Sequence, residues 1–161
     1  MDGSKSHPNT DNGTDMQLAA KYRQDKGIRN ATGSRHKIGA YVALRKGNIQ
    51  EHLIGLYLFG SIGVGLSFPN SAMEQFENGE PWSVVDGAEI DGGHYVSLVA
   101  KRGDYLYCVT WGKVQKITVS FFKKFNDESI LYLSEEMLAN GKTDEGFDYQ
   151  QLLSDLKTLK E

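Results

Sequence analysis

The segment GGHYVSLV, residues 92–99, is the part of the sequence that best fits a catalytic role. Two glycines precede His94, which opens a stretch whose apolar residues alternate as in a β-strand. A histidine at the start of a strand can serve as a general base, because its pKa lies close to neutral pH. Such a base needs a nucleophile, and no cysteine precedes His94 in the chain.

The candidate nucleophiles are Cys108, the only cysteine, and Ser97. GGHYVSLV and YLYCVTW predict a hairpin closed at KRGD. With a two-residue or four-residue turn, alternation places His94 and Trp111 on one face, and Cys108 and Ser97 on the other. A three-residue loop with a bulge would exchange the faces. We expect Cys108 to point away from His94 and to be a small buried apolar residue.

Metal and cofactor chemistry find little support in the sequence. Asp91 and His94 have the spacing of two metal ligands, but a third would have to come from the neighbouring acidic loop. The glycines of GSIGVG lack the spacing of a phosphate-binding loop and sit within a predicted strand. We therefore expect neither a metal site nor a cofactor.

Composition and charge narrow the class of protein. The chain has 161 residues, enough for one domain with a core, and its net charge of −3 argues against nucleic acid as the main partner. One cysteine permits no internal disulfide and suits a reducing compartment. No apolar run reaches the length of a membrane span, and no signal peptide is visible. We expect a cytoplasmic protein.

The predicted elements give an α+β fold with an antiparallel sheet packed by a few helices. We expect residues 1–13 to form a flexible arm, residues 14–138 the α+β domain, and residues 143–161 a C-terminal amphipathic helix. A homodimer formed through this helix stays an open alternative. Thr14 and Gln17 suggest a capping box that opens the first helix. Within the domain we expect a strand over 36–45, a helix over 49–58 and a glycine-rich strand over 61–68, whose bare face is expected to receive a neighbouring element.

An acidic loop lies between that strand and the hairpin, over residues 77–93. Such a loop can meet a basic partner surface and speed association with it. Its five carboxylates are the candidate binding residues: Glu77, Glu80, Asp86, Glu89 and Asp91.

Several motifs together resemble papain-like cysteine peptidases, and in particular a group from bacteria and their phages. The chain shows DNGTD, HKIGAYV, LYLFGSIGVGL, GGHYVSLV and VTWGKVQKIT in that order, over about residues 11–134. The resemblance implies a papain-like fold in which His94 matches the catalytic histidine and Trp111 with Gly112 the shielding Trp-Gly. Thr110 falls on the family's serine, and Val109 on the asparagine that orients the imidazole.

The departures from the family decide the expected function. The family's nucleophilic cysteine and oxyanion glutamine belong to a helix expected to lie before the region covered by this chain, and Val109 cannot accept a hydrogen bond from an imidazole. His94 and Trp111 are thus expected to be vestigial. We predict a pseudoenzyme that binds another protein, as a phage-encoded inhibitor or adaptor acting on a bacterial defence protein.

Three other classes stay open. The chain could be a peptidase or transferase fragment whose nucleophile comes from another segment or chain. His94 could work with a metal or a substrate-supplied nucleophile. The chain could also be a structural component of a virion.

Overall fold

A computed structural model describes residues 13–134 and positions 142, 146, 148, 150, 151 and 154. The protein is α+β, as predicted, with helices packed on an antiparallel sheet. The elements in chain order are α1 (Met16–Asp25), β1 (Ile28–Arg29), β2 (Arg35–His36), β3 (Ala40–Ala43), α2 (Ile49–Phe59), β4 (Ile62–Pro69), α3 (Asn70–Glu77), β5 (Ile90–Arg102), β6 (Tyr105–Thr110), β7 (Lys113–Thr118), α4 (Val119–Phe125) and β8 (Asn126–Leu133).

Side-chain caps set the ends of the first two long helices. The Asp15 carboxylate accepts from the Leu18 N–H at 2.8 Å, so Asp15 caps α1 and the expected capping box at Thr14 is wrong by one position. Asn48 accepts from the Glu51 N–H, and Gly60 in the left-handed conformation ends α2, which confirms that helix.

The main sheet has six strands in the order β3-β8-β4-β5-β6-β7, all paired antiparallel. The predicted strand over 36–45 is shorter in the structure. His36 belongs to the separate β1–β2 hairpin, and only Ala40–Ala43 joins the main sheet as its edge. Val42 is exposed because an edge strand has a neighbour on one side only.

The two faces of the sheet are covered differently. We call the face packed against α2, α3 and α4 the inner face; it holds the larger core, with Leu66, Leu98 and Phe121 fully or almost fully buried. The outer face is covered by α1, whose Met16 and Ala20 pack with Ile130 of β8. The domain is thus a sheet between two unequal layers, and the outer layer spans only part of its width.

The glycines of β4 allow this outer packing. A Cβ at Gly63 would lie 2.5 Å from the Tyr95 hydroxyl oxygen, and one at Gly65 would lie 2.9 Å from Cγ of Glu128. The bare face of the strand therefore receives neighbouring side chains, as predicted.

The β5–β6 hairpin corrects the predicted faces. Its turn has two residues, since Arg102 pairs with Tyr105, but the register shifts between Leu98 and Ala100. This bulge at Val99 inserts one extra residue into β5 and reverses the parity between its first half and β6. As a result Cys108 lies on the same face as Leu98 and His94, contrary to expectation.

The strand β5 also begins earlier than predicted, at Ile90, so that Asp91 and the two glycines before His94 are strand residues and not loop. The predicted arm over 1–13 lies outside the described residues apart from Gly13. So does most of the predicted helix over 143–161. Gln150, Gln151 and Ser154 are described and helical, but Gly146 is not helical and Asp148 forms a β-bridge with Lys142, so the predicted start at residue 143 is wrong. None of the helices in the described part of the chain has the length and apolar character needed to cross a bilayer.

The contact at Gly63 gives a stability prediction. We expect Gly63→Ala to lower the free energy of unfolding by about 1–3 kcal/mol, because the new methyl group would overpack against Tyr95 and Tyr132. Gly92→Ala is the matched control, since a Cβ there meets nothing within 4 Å. Urea unfolding of both variants checks this, and an equal effect of the two changes would contradict it.

Candidate functional site

His94 lies on β5 opposite Leu66 of β4, and its imidazole is half-buried on the inner face. Its Nε2 lies 2.7 Å from the Thr110 hydroxyl oxygen, a hydrogen-bond distance. The ring stacks on the Trp111 indole, with centroids 4.3 Å apart and planes 17° from parallel. Phe68 meets the imidazole edge-on at 5.0 Å. Trp82 lies edge-on to the imidazole at 6.2 Å. The histidine is therefore held by one polar and three aromatic contacts.

Trp111 occupies an uncommon backbone conformation. Thr110 pairs with Lys113, so Trp111 and Gly112 form a two-residue turn, with φ of +42° and +72°. Positive φ at both positions is the pattern of a type I′ turn, which favours Asn-Gly. A tryptophan there stores roughly 1–2 kcal/mol of backbone strain. Backbone strain of this kind indicates that the position of the Trp111 side chain is required for function.

The indole of Trp111 joins an aromatic cluster and yet stays 47% exposed. It lies edge-on to Phe76 of α3 at 4.8 Å, to Phe68 at 5.8 Å and to the buried Trp82 at 6.2 Å. Lys113 places its ammonium 5.0 Å from the Phe76 ring centre. The cluster is an open aromatic surface built on a rigid sheet and one helix.

Burial lowers the pKa of His94 below the ordinary value of a histidine. The imidazole is therefore mainly neutral at pH 7 and can accept a proton. Its recorded hydrogen-bond partner is the Thr110 hydroxyl, which can either donate or accept. The site thus holds an oriented neutral base.

Cys108 cannot serve that base as a nucleophile. The thiol is fully buried, and burial raises its pKa to about 12. Cys108 pairs with Leu98, four residues along β5 from His94, or about 13 Å at the rise of a strand. The expected separation by opposite faces was wrong, but the expected buried apolar role is confirmed. Ser97 lies on the outer face, away from His94, as predicted.

From the sequence, Thr110 was not expected to be the partner of His94. Val109 was instead matched to the asparagine that orients the imidazole in the papain-like family. In the structure Val109 is an outward-facing residue that pairs with Ser97 and Val114. The bulge moves Thr110 to the inner face, where it is almost fully buried. A buried threonine directly before an aromatic residue was the available signal, since a hydroxyl in a core needs a partner.

The five acidic candidates lie on the elements that build the aromatic cluster. All are exposed, and within the described part of the chain none of their carboxylates has a recorded ion pair or hydrogen bond: Glu77, Glu80, Asp86, Glu89 and Asp91. Among the residues that the structure describes, no three His, Cys, Asp or Glu side chains are grouped to hold a metal ion. The carboxylates lie on α3, on the segment that follows it and at the start of β5, in the part of the chain that also supplies Phe76 and Trp82 to the cluster.

A separate groove of about 500 Å³ lies against α1. Its walls include Tyr95, whose side chain alternates to the face opposite the His94 ring, and Tyr132, over which Arg23 lies at 4.4 Å. Glu128 accepts from the Met16 N–H there at 3.3 and 3.4 Å, and burial raises its pKa. His94 therefore borders this groove, but its imidazole lies on the opposite face of the sheet.

No protein-family model matches this sequence, and neither does any curated protein. The papain-like resemblance stays a prediction carried by the order of the motifs. The geometry around His94 and Trp111, together with that resemblance, therefore provides the grounds for inferring a function.

The stack on Trp111 gives a pH prediction. Because the folded pKa of His94 is lowered, the unfolded chain binds more protons below about pH 6.5, and the free energy of unfolding falls as pH falls. One proton contributes at most about 1.4 kcal/mol per pH unit. His52 is also buried with a lowered pKa and shifts the curve in the same direction.

The measurement compares wild type with His94→Gln by urea unfolding from pH 7.5 to 5, and follows the His94 pKa by NMR. We expect a shallower decline in the variant. We also expect the His94 pKa to rise toward its ordinary value in Trp111→Asn, because that ring then meets more water. A His94 pKa in the wild type at or above 6.5 would show that burial does not lower it.

Proposed function

We propose that the chain is a papain-like α+β domain that acts by binding another protein, and that it does not cut one. The observation that carries the proposal is the half-exposed indole of Trp111, held in a strained turn by its stack on His94. Exposed aromatic residues on rigid supports are the usual anchors of protein interfaces. A strained turn that exposes such a residue is consistent with selection for its contact with a binding partner.

The chemistry of the site supports binding over catalysis by this chain alone. Nucleophilic catalysis needs a thiolate or an activated hydroxyl within hydrogen-bond reach of the base. The chain's single thiol is sealed in the core, and the hydroxyl of Thr110 is itself almost fully buried. His94 then serves as the platform for Trp111.

The charges around the anchor indicate the partner's chemistry. Residues 70–91 hold six Asp or Glu residues and no Lys or Arg. An acidic segment that contributes Phe76 and Trp82 to the aromatic cluster suits a basic surface that carries apolar side chains. By the resemblance to phage proteins, that partner would be a host protein, such as one of its defence proteins.

A displayed library of random 12-residue peptides tests this proposal. We expect selected peptides to be rich in Lys or Arg with apolar residues. Trp111→Asn keeps a residue suited to the turn and should weaken their binding by about tenfold or more. Glu89→Lys with Asp91→Lys should weaken it mainly at low salt, because exposed charges are screened.

The control for this experiment is Arg35→Gln, in the β1–β2 hairpin at the other end of the chain, which should bind the peptides unchanged. Circular dichroism and urea unfolding verify that each variant is folded. Peptides that bind independently of Trp111, or a selection without basic residues, would overturn the proposal.

A second candidate function is favoured by the orientation of His94. A neutral imidazole that is hydrogen-bonded to Thr110 and stacked by Trp111 is arranged as a base would be. A cysteine on another segment or chain could then complete a peptidase or transferase site. In that reading the aromatic surface is where the nucleophile segment docks.

Alkylation tests whether Cys108 itself can act as a nucleophile. With iodoacetamide at pH 7.5, we expect Cys108 in the folded chain to react at least about 100-fold more slowly than a free cysteine, because the thiol is buried and its pKa is about 12. His94→Ala should leave this rate unchanged. Fast labelling of Cys108 that requires His94 would contradict the assignment of Cys108 to the core.

A further inference from the structure

In the described part of the chain, the outer face of the sheet is open at β6 and β7, where the side chains of Val109 and Val114 are 45% and 64% exposed. Tyr95 of β5 borders the groove at α1 instead. The described contacts of α1 with the sheet are mainly with β8 and β3. Val109 pairs with Ser97 on one side and Val114 on the other, so these three side chains form one strip across three strands. We call this strip, with the flanking Tyr105 and Tyr107, the outer strip.

An antiparallel sheet with one face in water normally carries polar residues there. The outer strip instead presents two valines at its centre, directly opposite each other. A valine side chain on the open face of a sheet makes no favourable interaction with water. A contiguous exposed apolar area is typical of interaction sites. The composition of this face therefore indicates that something covers it.

The charged side chains that pair with the two tyrosines of the outer strip are basic. Arg102 pairs with Tyr105, and Lys116 pairs with Tyr107, so both cations share the face with the tyrosines. Lys116 lies 5.9 Å from the Tyr105 ring centre. Between residues 94 and 118 the only acidic residue is Asp104, in the hairpin turn.

We infer that the outer strip docks an acidic segment of a second protein, with apolar side chains seated on Val109 and Val114. Charge complementarity selects the sign of the partner. The aliphatic centre selects a protein over a nucleic acid, because phosphate binding needs clustered cations and stacking needs exposed rings at the centre. The chain then holds a basic partner at Trp111 and an acidic partner on the outer strip, as an adaptor does.

This inference does not require the binding proposed at Trp111, and the test keeps them apart. The same displayed library is selected on the Trp111→Asn variant, in which the first surface is disabled. We expect peptides rich in Asp or Glu with apolar residues. Val109→Thr with Val114→Thr keeps β-branched residues in the strands and should weaken their binding about tenfold.

Arg102→Gln with Lys116→Gln provides a second variant set that does not alter the packing of the sheet. It should weaken binding about threefold at low salt and have little effect at high salt. Gly92→Ala is the unchanged control. Urea unfolding shows whether each variant is folded, and the charge variants keep the test valid if the threonine variant is not.

Three results would overturn the inference. Acidic peptides could be absent from the selection, or bind equally well to both variant sets. A single-stranded oligonucleotide such as dT15 could bind in a way that Val109 and Val114 control. Sedimentation could show that the wild type self-associates and the threonine variant is monomeric, which would assign the outer strip to a second copy of this chain.

Discussion

The β-bulge at Val99 fixes which side chains of β6 share a face with His94. With this extra residue in β5, Leu98 pairs with Cys108 and Ser97 with Val109. The Thr110 hydroxyl then reaches the imidazole, the thiol is buried in the core, and Val109 faces outward. Without it every side chain of β6 would exchange faces. Both the base-like geometry at His94 and the apolar outer strip thus depend on one irregularity in strand pairing.

The Trp111 turn balances local strain against aromatic contacts. Its left-handed backbone costs roughly 1–2 kcal/mol, while each well-oriented aromatic pair contributes about 0.5–1.5 kcal/mol beyond burial. Contacts with His94, Phe68 and Phe76 are enough to offset that cost. The balance explains how an exposed tryptophan can be held in one orientation without being buried. The anchor is rigid before a partner arrives, so binding loses little side-chain entropy.

The sequence indicated the fold class, α2 with its caps, and the packing against the glycines of β4, because periodicity and caps are local signals. It did not indicate the bulge at Val99, since a bulge can have the same sequence as a regular strand and depends on the partner strand. Because the bulge was not predicted, Cys108 was assigned to the wrong face of the sheet and Thr110 was overlooked as the partner of His94. The strand predicted over 36–45 was too long for a similar reason, because alternation at Ile38 and Val42 does not reveal where pairing begins.

A net charge of −3 conceals a strong separation of charge along the chain. The acidic segment is anchored to the inner face through Trp82, which packs on Phe68 and Phe121, whereas Arg102 and Lys116 project from the outer face. The two segments meet along the edge strand β7, where the Trp82 N–H donates to the Lys116 carbonyl at 2.9 Å, and the field of an exposed charge falls off over about 8 Å at physiological ionic strength. Each surface therefore acts on a nearby partner through its own sign of charge. For an approaching protein the local potential, and not the small net charge, decides which face it meets.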